Sequence, residues 1–471
     1  MKKLFLIGAT ALMVSNSTFA GGILTNTNQN ATFLRNPARN AAIAIDGVYS
    51  NPAGIAFLPQ GFHLSVSWQA AFQKRQMDVN NKLFQMNANN QSADRFFEGK
   101  TNAPVIPSFQ AAYVINDKWS VSAQFAVGGG GGKCEFEQGL PMFEELIGGI
   151  VAKNGGNSYA LNQNLTGEQY FYAFQLGATY KLADNFSVFG GARGVLANCN
   201  YTGAIANIKA NGMNAAEYSA LAQQAAAAAQ QYAAAGMTAE AAQYQAAAVQ
   251  AGTVAALIGD YKLDCAQSGF GITPIIGVDW NLGKLNLAAK YEFRTKIELE
   301  NESKNSDNLA MLATSVPAVA VYADGAKVRS DIPAIMTLGA QYEITDNFRA
   351  MVGGVYYWDK DAKGTPIKEG KNTWEANFGI EWDVNDKILL SCGAQRTEYG
   401  FDDTDMADTN FNTSSYAVAI GGAYKFSEKI KLNVGYMHSF YENHKFTNKN
   451  NTTCDYTRKN DTVGVSLDIA F

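Results

Sequence analysis

The last eleven residues, DTVGVSLDIAF from Asp461 to Phe471, alternate between apolar and small or polar side chains. The apolar positions are Val463, Val465, Leu467, Ile469 and Phe471. Successive side chains of a strand point to opposite faces, so a strand with lipid outside and a polar lumen inside produces this two-residue period. The stretch predicts a strand of a transmembrane β-barrel in the bacterial outer membrane. The terminal Phe471 resembles the signal read by the outer-membrane assembly machinery, which we expect as a partner.

The same alternation recurs in pairs of segments joined by short polar turns. Asn, Asp and Gly tolerate the backbone conformations of tight hairpins. Six such turns lie at 116–118, 183–185, 281–283, 345–347, 385–387 and 427–429. They predict twelve strands, and one more from Gly61 to about Met77, together with the final strand, gives about fourteen. An even number of antiparallel strands, with short turns at one end and long loops at the other, is typical of bacterial barrels. A soluble sandwich or propeller stays open as an alternative but does not explain this asymmetry.

The N-terminus predicts export. A short basic start, an apolar stretch from Leu4 to Val14, and Thr18-Phe19-Ala20 indicate a signal peptide over residues 1–20. Only 17% of the residues are charged, the chain contains 44 Gly, 22 Tyr and 27 Phe, and the formal net charge is −5. This composition suits twisted strands with aromatic girdles. Without basic clusters, it gives no reason to expect nucleic acid as a partner.

Residues 21–60 precede the first strand and do not follow the strand pattern. They are interrupted by Arg35-Asn36-Pro37 and Asn51-Pro52, yet contain Ile, Phe and Leu, which flexible tails usually lack. A fourteen-stranded barrel is wide enough to need a plug. We therefore predict three parts: the signal peptide, an N-terminal hatch at 21–60, and the barrel at 61–471. A flexible tail is the alternative for the second part.

The stretch AAIAIDGVYSNPAGIAFLP, residues 41–59, resembles the start of the FadL family of outer-membrane transporters. Members of that family carry a small-residue run with an Asp, followed by Asn-Pro-Ala before the first strand. The matching hatch residues here are Asp46, Asn51, Pro52 and Ala53. The resemblance implies a hatch inside the barrel, an outer hydrophobic groove and an inner pocket. The implied ligand is a hydrophobic small molecule such as a long-chain fatty acid, which leaves by diffusion, sideways or straight through. Outer-membrane lipid and lipopolysaccharide are the other expected partners.

The third long loop, at 200–262, is rich in Ala, the best helix former. Gly236 and Thr238 interrupt the run as a helix stop and a new start would, so two antiparallel helices are predicted between Asn214 and Ile258. A further short helix is expected at 141–147. Cys199 and Cys265 flank the Ala-rich loop, and a disulfide between them would fix its base.

Strand register predicts which side chains face the lumen. A ligand carboxylate would need one or two lumen cations, and Arg193 and Arg349 are the leading candidates, with Lys290 beside them. Apolar contacts to the ligand are predicted for Phe171, Phe189, Met351 and Tyr357. The three His are scattered, the glycine run at 128–132 is interpreted as a loop, and no catalytic set is apparent. We therefore predict neither an enzyme nor a metal or other cofactor.

Three functions fit the predicted barrel. The first is passive uptake of hydrophobic small molecules. The second is a general porin for hydrophilic solutes, and the third is a surface adhesin that uses its long loops. A plugged barrel should retain lipid or detergent and conduct few ions, whereas an open porin should give a large, steady conductance.

Overall fold

The computed structural model describes residues 22–313 and 317–471, so the predicted signal peptide lies outside the described residues. Strands that alternate between buried and exposed positions form one antiparallel sheet. Three strands are divided into two segments, so the seventeen segments make fourteen barrel strands. They are β1 (Gly61–Asn80), β2 (Asp94–Val114), β3 (Trp119–Phe136), β4 (Tyr159–Ala183), β5 (Phe186–Ala210), β6 (Tyr261–Leu282), β7 (Leu285–Glu292 and Glu298–Ser303), β8 (Lys327–Arg329 and Ile335–Thr345), β9 (Phe348–Tyr357), β10 (Trp374–Asp383), β11 (Ile388–Glu398), β12 (Ser415–Ser427), β13 (Ile430–Tyr441 and His444–Thr447) and β14 (Thr453–Ala470).

The sheet closes on itself. Each strand pairs with its neighbours in sequence, and β14 pairs with β1, with Leu64 opposite Ile469 and Trp68 opposite Val465. Closure gives every strand a paired neighbour on both sides, so the sheet has no free edge strand. The six predicted turns all lie at one end, here called the turn end, and the long connections lie at the other, the loop end. The predicted transmembrane barrel of fourteen strands is confirmed.

The outer face of the wall carries an apolar band. Large exposed hydrophobic residues recur on alternate positions, as on β1 with Phe62, Val66, Trp68 and Phe72. A continuous apolar surface of this size is unfavourable in water and is expected where a barrel meets lipid. Across the described residues, no helix combines the length and apolar character that would let it cross a membrane.

The helices lie in the N-terminal segment and in the loops. The α-helices are α1 (Gly47–Ser50), α2 (Pro141–Lys153), α3 (Ala215–Ala234), α4 (Thr238–Leu257), α5 (Asp307–Ala313) and α6 (Pro317–Ala320). Short 3-10 helices span Ala31–Leu34, Pro52–Phe57, Lys82–Met86 and Asp359–Asp361. Asn214 and Glu217 form a capping box at the start of α3, and Gly236, with φ of 77°, turns the chain into α4. The predicted pair of helices is confirmed.

Residues 22–60, here called the hatch segment, lie within the ring of strands. The Asn30 amide donates to Gln110 on β2 at 2.8 Å, and the Asn51 amide donates to Asp279 on β6 at 2.5 Å. From another part of the wall, Asn377 on β10 donates to the Pro37 carbonyl at 3.0 Å. Because these bonds reach well-separated strands, the segment crosses the lumen in the half nearer the turns.

Glycines in the wall allow the hatch segment to lie against it. A Cβ atom on Gly379 would lie 1.9 Å from the Asn36 side chain, and one on Gly339 would lie 2.6 Å from the Asn40 backbone. Both distances are far inside van der Waals contact. At these two places the hatch segment requires strand residues without side chains, which explains part of the high glycine content.

Candidate functional site

A single buried carboxylate joins the hatch segment to the barrel. Glu381 on β10 accepts from Arg35 at 2.6 Å and from Arg39 at 2.9 Å, and it also pairs with Arg349 on β9 at 2.8 Å. Arg39 forms a second ion pair, with Asp46 of the hatch segment, at 2.8 Å. Separating one partner from a buried ion pair leaves an unpaired buried charge, which costs more free energy than the intact pair contributes to stability. The cluster therefore fixes the position of the hatch segment.

The three predicted ligand-binding cations all have carboxylate partners. Arg349 pairs with Glu381 and, at 2.8 Å, with Asp383. Arg193 and Lys290 share Glu292, at 2.5 Å and 2.8 Å. All three cations are therefore held by acids of the protein, although Arg193 and Lys290 share one carboxylate between them. The prediction that they face a ligand carboxylate did not take into account these acids, which lie on the same strand as Lys290, on the strand next to Arg349, and two strands from Arg193.

The Lys290–Arg193 pair also holds the hatch segment. Lys290 donates to the Tyr49 carbonyl at 2.7 Å, and its ammonium group lies 4.1 Å from the centre of the Tyr49 ring. The guanidinium of Arg193 lies 5.2 Å from the same ring. The structure thus places both cations beside the hatch segment, where they bind its backbone and its aromatic side chain.

Three of the four predicted apolar contacts pack on the hatch segment. Phe189 lies against Ala53, Met351 against Ala38 and Ala42, and the Tyr357 ring lies beside Gly22. Phe171 instead belongs to the large apolar cluster nearer the loop end. Of these predicted residues, Phe171 is therefore the one that lies among the apolar side chains nearer the loops.

The Asn-Pro-Ala turn is held by two side-chain contacts. Asn51 accepts from the Gly54 amide at 3.2 Å and donates to Asp279, which also accepts from Asn286 at 2.8 Å. Pro52 begins the 3-10 helix that follows, and the Ala53 carbonyl accepts from Ser187 on β5 at 2.7 Å.

Replacing Asp279 should loosen this turn. The substitution Asp279→Leu leaves the amides of Asn51 and Asn286 without their buried acceptor, a cost of about 1–3 kcal/mol. Hydrogen exchange at residues 51–57 should rise while exchange in the barrel strands stays unchanged. Asp346→Leu, in an exposed turn, is the matched control. Unchanged exchange in Asp279→Leu would contradict this role.

The loop-end half of the lumen contains a large cluster of apolar side chains, here called the cap cluster. It includes Phe84, Phe136, Ile147, Phe171, Tyr201, Leu263, Leu299, Leu312, Tyr322 and Phe411. A cavity of about 40 Å³ lies between α2, β4–β6 and the loop that carries α5 and α6, and Phe143, Leu165 and Leu309 contribute to its lining. A ligand of greater volume would have to displace these side chains, which an apolar molecule does at lower cost than a hydrated one.

Helix α2 covers the cap cluster and is anchored by buried carboxylates. Glu144 accepts from Asn87 at 3.1 Å and from the Tyr159 hydroxyl at 3.0 Å. Glu145 accepts from Asn448 at 3.1 Å and also from Thr452. Asp408, in the loop after β11, accepts from the first-turn amide of Met142 at 2.7 Å. The helix predicted at 141–147 is confirmed, and three loops hold it over the barrel opening.

The anchoring of α2 should depend on pH. Burial and the nearby Glu145 carboxylate raise the pKa of Asp408 to about 7, against an ordinary value of 3.8. In the folded protein the Asp408 carboxyl group therefore holds its proton more tightly than it does in the unfolded chain. The stabilisation is fully present below about pH 4 and is lost as the pH rises through about 7.

We expect hydrogen exchange in α2, corrected for its intrinsic pH dependence, to accelerate by about tenfold or more between pH 5 and pH 8, since one pKa unit corresponds to about 1.4 kcal/mol. Asp408→Asn keeps an acceptor for Met142 but does not ionise, so its exchange should not show this rise. Asp403→Asn, an exposed acid in the same loop, is the control. An equal rise in Asp408→Asn would show that another group is responsible.

The wall is interrupted between β2 and β3. The two strands pair at Thr101 with Cys134 and again at Ser108 with Ala126, but not between. Over that interval β3 stays paired with β4 through two bulges, between Val127 and Gly129 and between Gly130 and Gly132. The bulges take β3 away from β2 and leave a gap in the wall, where Val105 is 65% exposed.

The glycine run at 128–132 is the cause of the gap. The prediction that this run forms a loop is wrong, because all five glycines lie within β3. Gly130 and Gly131 adopt φ of 65° and 109°, in a region that other residues rarely enter. The run thus lets the strand bend while it remains part of the sheet.

The hatch segment supplies the hydrogen bonds that β2 does not. The Asn26 amide side chain donates to the carbonyls of Val127 and Gly130 at 3.2 Å and 3.0 Å, and the Asn26 backbone donates to Gly128 at 2.9 Å. The gap therefore borders the hatch segment on the inside and the apolar band on the outside.

The predicted disulfide is not present, since Cys199 and Cys265 are both free thiols. Cys199 lies opposite Gln267, and Cys265 lies opposite Tyr201. The two are therefore diagonal neighbours on adjacent strands. Diagonal positions are about 7–8 Å apart, beyond the Cα separation that a disulfide normally spans.

Sequence reasoning missed Arg35, Arg39, Glu381 and Asn26. A signal for the first two was available, because Arg35, Arg39 and Asp46 are the only charged residues between 21 and 60. Three isolated charges in a segment destined for burial indicate ion pairs. The pairing of Glu381 with Arg35 and Arg39 depends on the closed barrel, so the sequence gives no local signal for it.

Comparison with known proteins identifies the fold. No protein-family model matches the sequence, and no curated protein matches it. Among solved structures, a Pseudomonas aeruginosa FadL homologue is similar with a TM-score of 0.63 and 12% identity, over 96% of this chain and 100% of the other. The P. putida toluene transporter TodX is similar with a TM-score of 0.53 and 12% identity, over 91% and 94%. The Ralstonia pickettii toluene transporter TbuX is similar with a TM-score of 0.51 and 12% identity, over 94% and 99%. The resemblance predicted from residues 41–59 therefore holds at the level of the fold.

Proposed function

We propose that this chain, with the fold of the FadL homologue and of the toluene transporters, is a bacterial outer-membrane channel for passive uptake of hydrophobic small molecules. The loop end faces the cell exterior and the turn end faces the periplasm. The observation that carries the proposal is the large apolar cap cluster in the outer half of the lumen. A porin for hydrophilic solutes would need a polar, hydrated passage in this place.

The path of the ligand follows from three features. An apolar molecule enters among the cap-cluster side chains below α2. The hatch segment blocks the direct route to the periplasm with its buried ion pairs. The gap between β2 and β3 opens beside the hatch segment onto the apolar outer band. We propose that the ligand leaves sideways through this gap, because it never has to enter water on that path.

The ligand class is set by the same contacts. The predicted cations Arg193, Lys290 and Arg349 each contact an acid of the barrel, and Arg193 and Lys290 share the single carboxylate of Glu292. The lining of the outer cavity is apolar, with residues such as Leu165, Ile205 and Leu263. A neutral hydrocarbon and the tail of a fatty acid both fit such a surface. No catalytic step is part of the proposal.

The test is uptake of radiolabelled toluene and of oleate into cells that produce the protein, compared with cells that lack it. In parallel, the purified protein is measured in planar bilayers for ion conductance. We expect faster uptake of at least one apolar compound, together with little steady conductance. A large, stable conductance without any gain in uptake of either compound would overturn the proposal and would favour a hydrophilic porin.

A further inference from the structure

An open groove of about 400 Å³ lies on the outer face of the wall, close to the loop end. Four neighbouring strands form it. The outward-facing Asn198 and Asn200 of β5 and Ala266 and Ser268 of β6 make its floor. These side chains are short, whereas those on the flanking strands β4 and β7 are long. The groove therefore follows from side-chain size across a continuous sheet.

The side chains of the groove are aligned in two rows by strand register. In the first row Tyr170 lies opposite Asn198, which lies opposite Ser268, which lies opposite Glu300. The second row, one step nearer the loop end, contains Glu168, Asn200, Ala266 and Glu302. Neighbouring strands are about 4.8 Å apart, so each row is about 14 Å long.

One side of the groove is an aromatic platform. The rings of Tyr170 and Tyr172 on β4 are stacked, with centroids 5.6 Å apart and planes 4° from parallel. Both tyrosines are partly buried, because they also pack beside Val127 and Ile106 at the edge of the wall gap. Aromatic faces bind flat apolar surfaces while their hydroxyl groups stay available to polar partners.

The remaining side chains of the groove include both hydrogen-bond donors and hydrogen-bond acceptors. The amides of Asn198 and Asn200 donate and accept, the Ser268 hydroxyl does both, and the carboxylates of Glu300 and Glu302 accept. The negative charges of the glutamates repel an anionic ligand. They do not converge as metal ligands either, since the described residues include no cluster of three or more acidic, His or Cys side chains able to hold an ion.

The groove lies just beyond the apolar band. On the same outward face, Leu196 and Phe270 are 45% and 55% exposed and occupy the next positions toward the turn end. With the orientation given under the proposed function, on which this inference rests, the groove lies in the headgroup region of the outer leaflet. A ligand with hydroxyl groups and one flat apolar face can bind both the aromatic side and the hydrogen-bonding sides of the groove.

We propose that this groove is a saccharide-binding site. The sugar ring stacks on Tyr170, which Tyr172 supports from its other face, and its hydroxyls donate to Glu300 and Glu302 and exchange hydrogen bonds with the two asparagines. The saccharide can be the headgroup of an outer-leaflet glycolipid or a free oligosaccharide. The chemistry of recognition is the same for both sources.

The probes are maltohexaose, an uncharged soluble oligosaccharide, and vesicles that contain an uncharged glycolipid, monoglucosyl diacylglycerol. Binding of the soluble probe to the full-length protein in detergent is measured by saturation-transfer NMR titration, and retention of the intact glycolipid is measured by native mass spectrometry. Tyr170→Leu/Tyr172→Leu removes the platform. Ala266→Trp fills the groove without removing a polar group. Tyr416→Leu, an outward tyrosine on β12 at the same end of the barrel, is the control.

We expect both groove variants to weaken binding by about tenfold, as loss of an aromatic contact surface would, and Tyr416→Leu to leave it unchanged. Loss of glycolipid retention in the same variants identifies the lipid headgroup as the source, and an effect on the soluble probe alone identifies a free saccharide. The proposal is overturned if neither probe binds, or if both groove variants bind like the unmodified protein. Uptake of toluene and oleate is measured on the same proteins, so a failure here is distinct from a failure of the transport function.

Discussion

Replacing Glu381 by Gln should release the hatch segment and convert a nearly silent barrel into one with steady ion conductance. Glu381 is the shared partner of Arg35, Arg39 and Arg349, and all four side chains lie inside the barrel. Without this carboxylate, Arg35 keeps its hydrogen bond to the Ser391 hydroxyl but loses the negative charge that balances its own. Leaving a buried cation without its acid costs about 3–5 kcal/mol, and this cost falls on the contact between the hatch segment and β10.

The measurement is single-channel conductance in planar bilayers, with hydrogen exchange of residues 22–58 on the same preparation. Glu428→Gln, in the exposed turn between β12 and β13, is the matched control. Its conductance and exchange should equal those of the unmodified protein. If Glu381→Gln stays silent and its hatch segment stays protected, the ion pairs do not hold the hatch segment in place.

Deleting Gly131 should abolish uptake while leaving the barrel folded. Between the last paired positions, β2 contributes residues 102–107 and β3 contributes residues 127–133, which is one residue more. Gly131 is the extra residue of one β3–β4 bulge, with φ of 109°. Its removal makes the two stretches equal in length, so β3 can straighten and pair with β2 across the gap.

The measurement is uptake of the compound that the unmodified protein takes up, in cells with equal amounts of folded barrel at the surface. We expect uptake to fall to the level of cells that lack the protein. Deletion of Gly212, in the exposed turn after β5, should leave uptake unchanged. Normal uptake after deletion of Gly131 would argue for a straight path past the hatch segment rather than exit through the wall.

These two variants distinguish the blocking of ions by the hatch segment from the exit of ligand through the wall. Glu381→Gln concerns the hatch, so it changes conductance. Deletion of Gly131 concerns the wall, so it changes uptake and leaves conductance low. The hatch segment also contacts β3 through Asn26, so combining the two changes measures how strongly the hatch and the gap are coupled.

The sequence alone determined the architecture. A two-residue period of apolar side chains is a local signal, and it is unambiguous in segments such as 463–471 because a barrel wall has lipid on one side. Turns such as Asn116-Asp117-Lys118 are also local, so the number and order of strands followed. The helix pair from Ala215 to Leu257 was predictable for the same reason, since alanine content and a glycine stop act within a few residues.

Only the tertiary structure decided how the site is built. Arg35 and Glu381 are 346 residues apart, and their pairing depends on barrel closure, which sets the strand that faces each hatch residue. The same holds for Arg193, which pairs with Glu292, 99 residues further along the chain. The wall gap follows from the difference in length between two strand stretches, and the outer groove from the size of side chains on four strands. Relations of this kind join residues far apart in the chain, so no local pattern contains them.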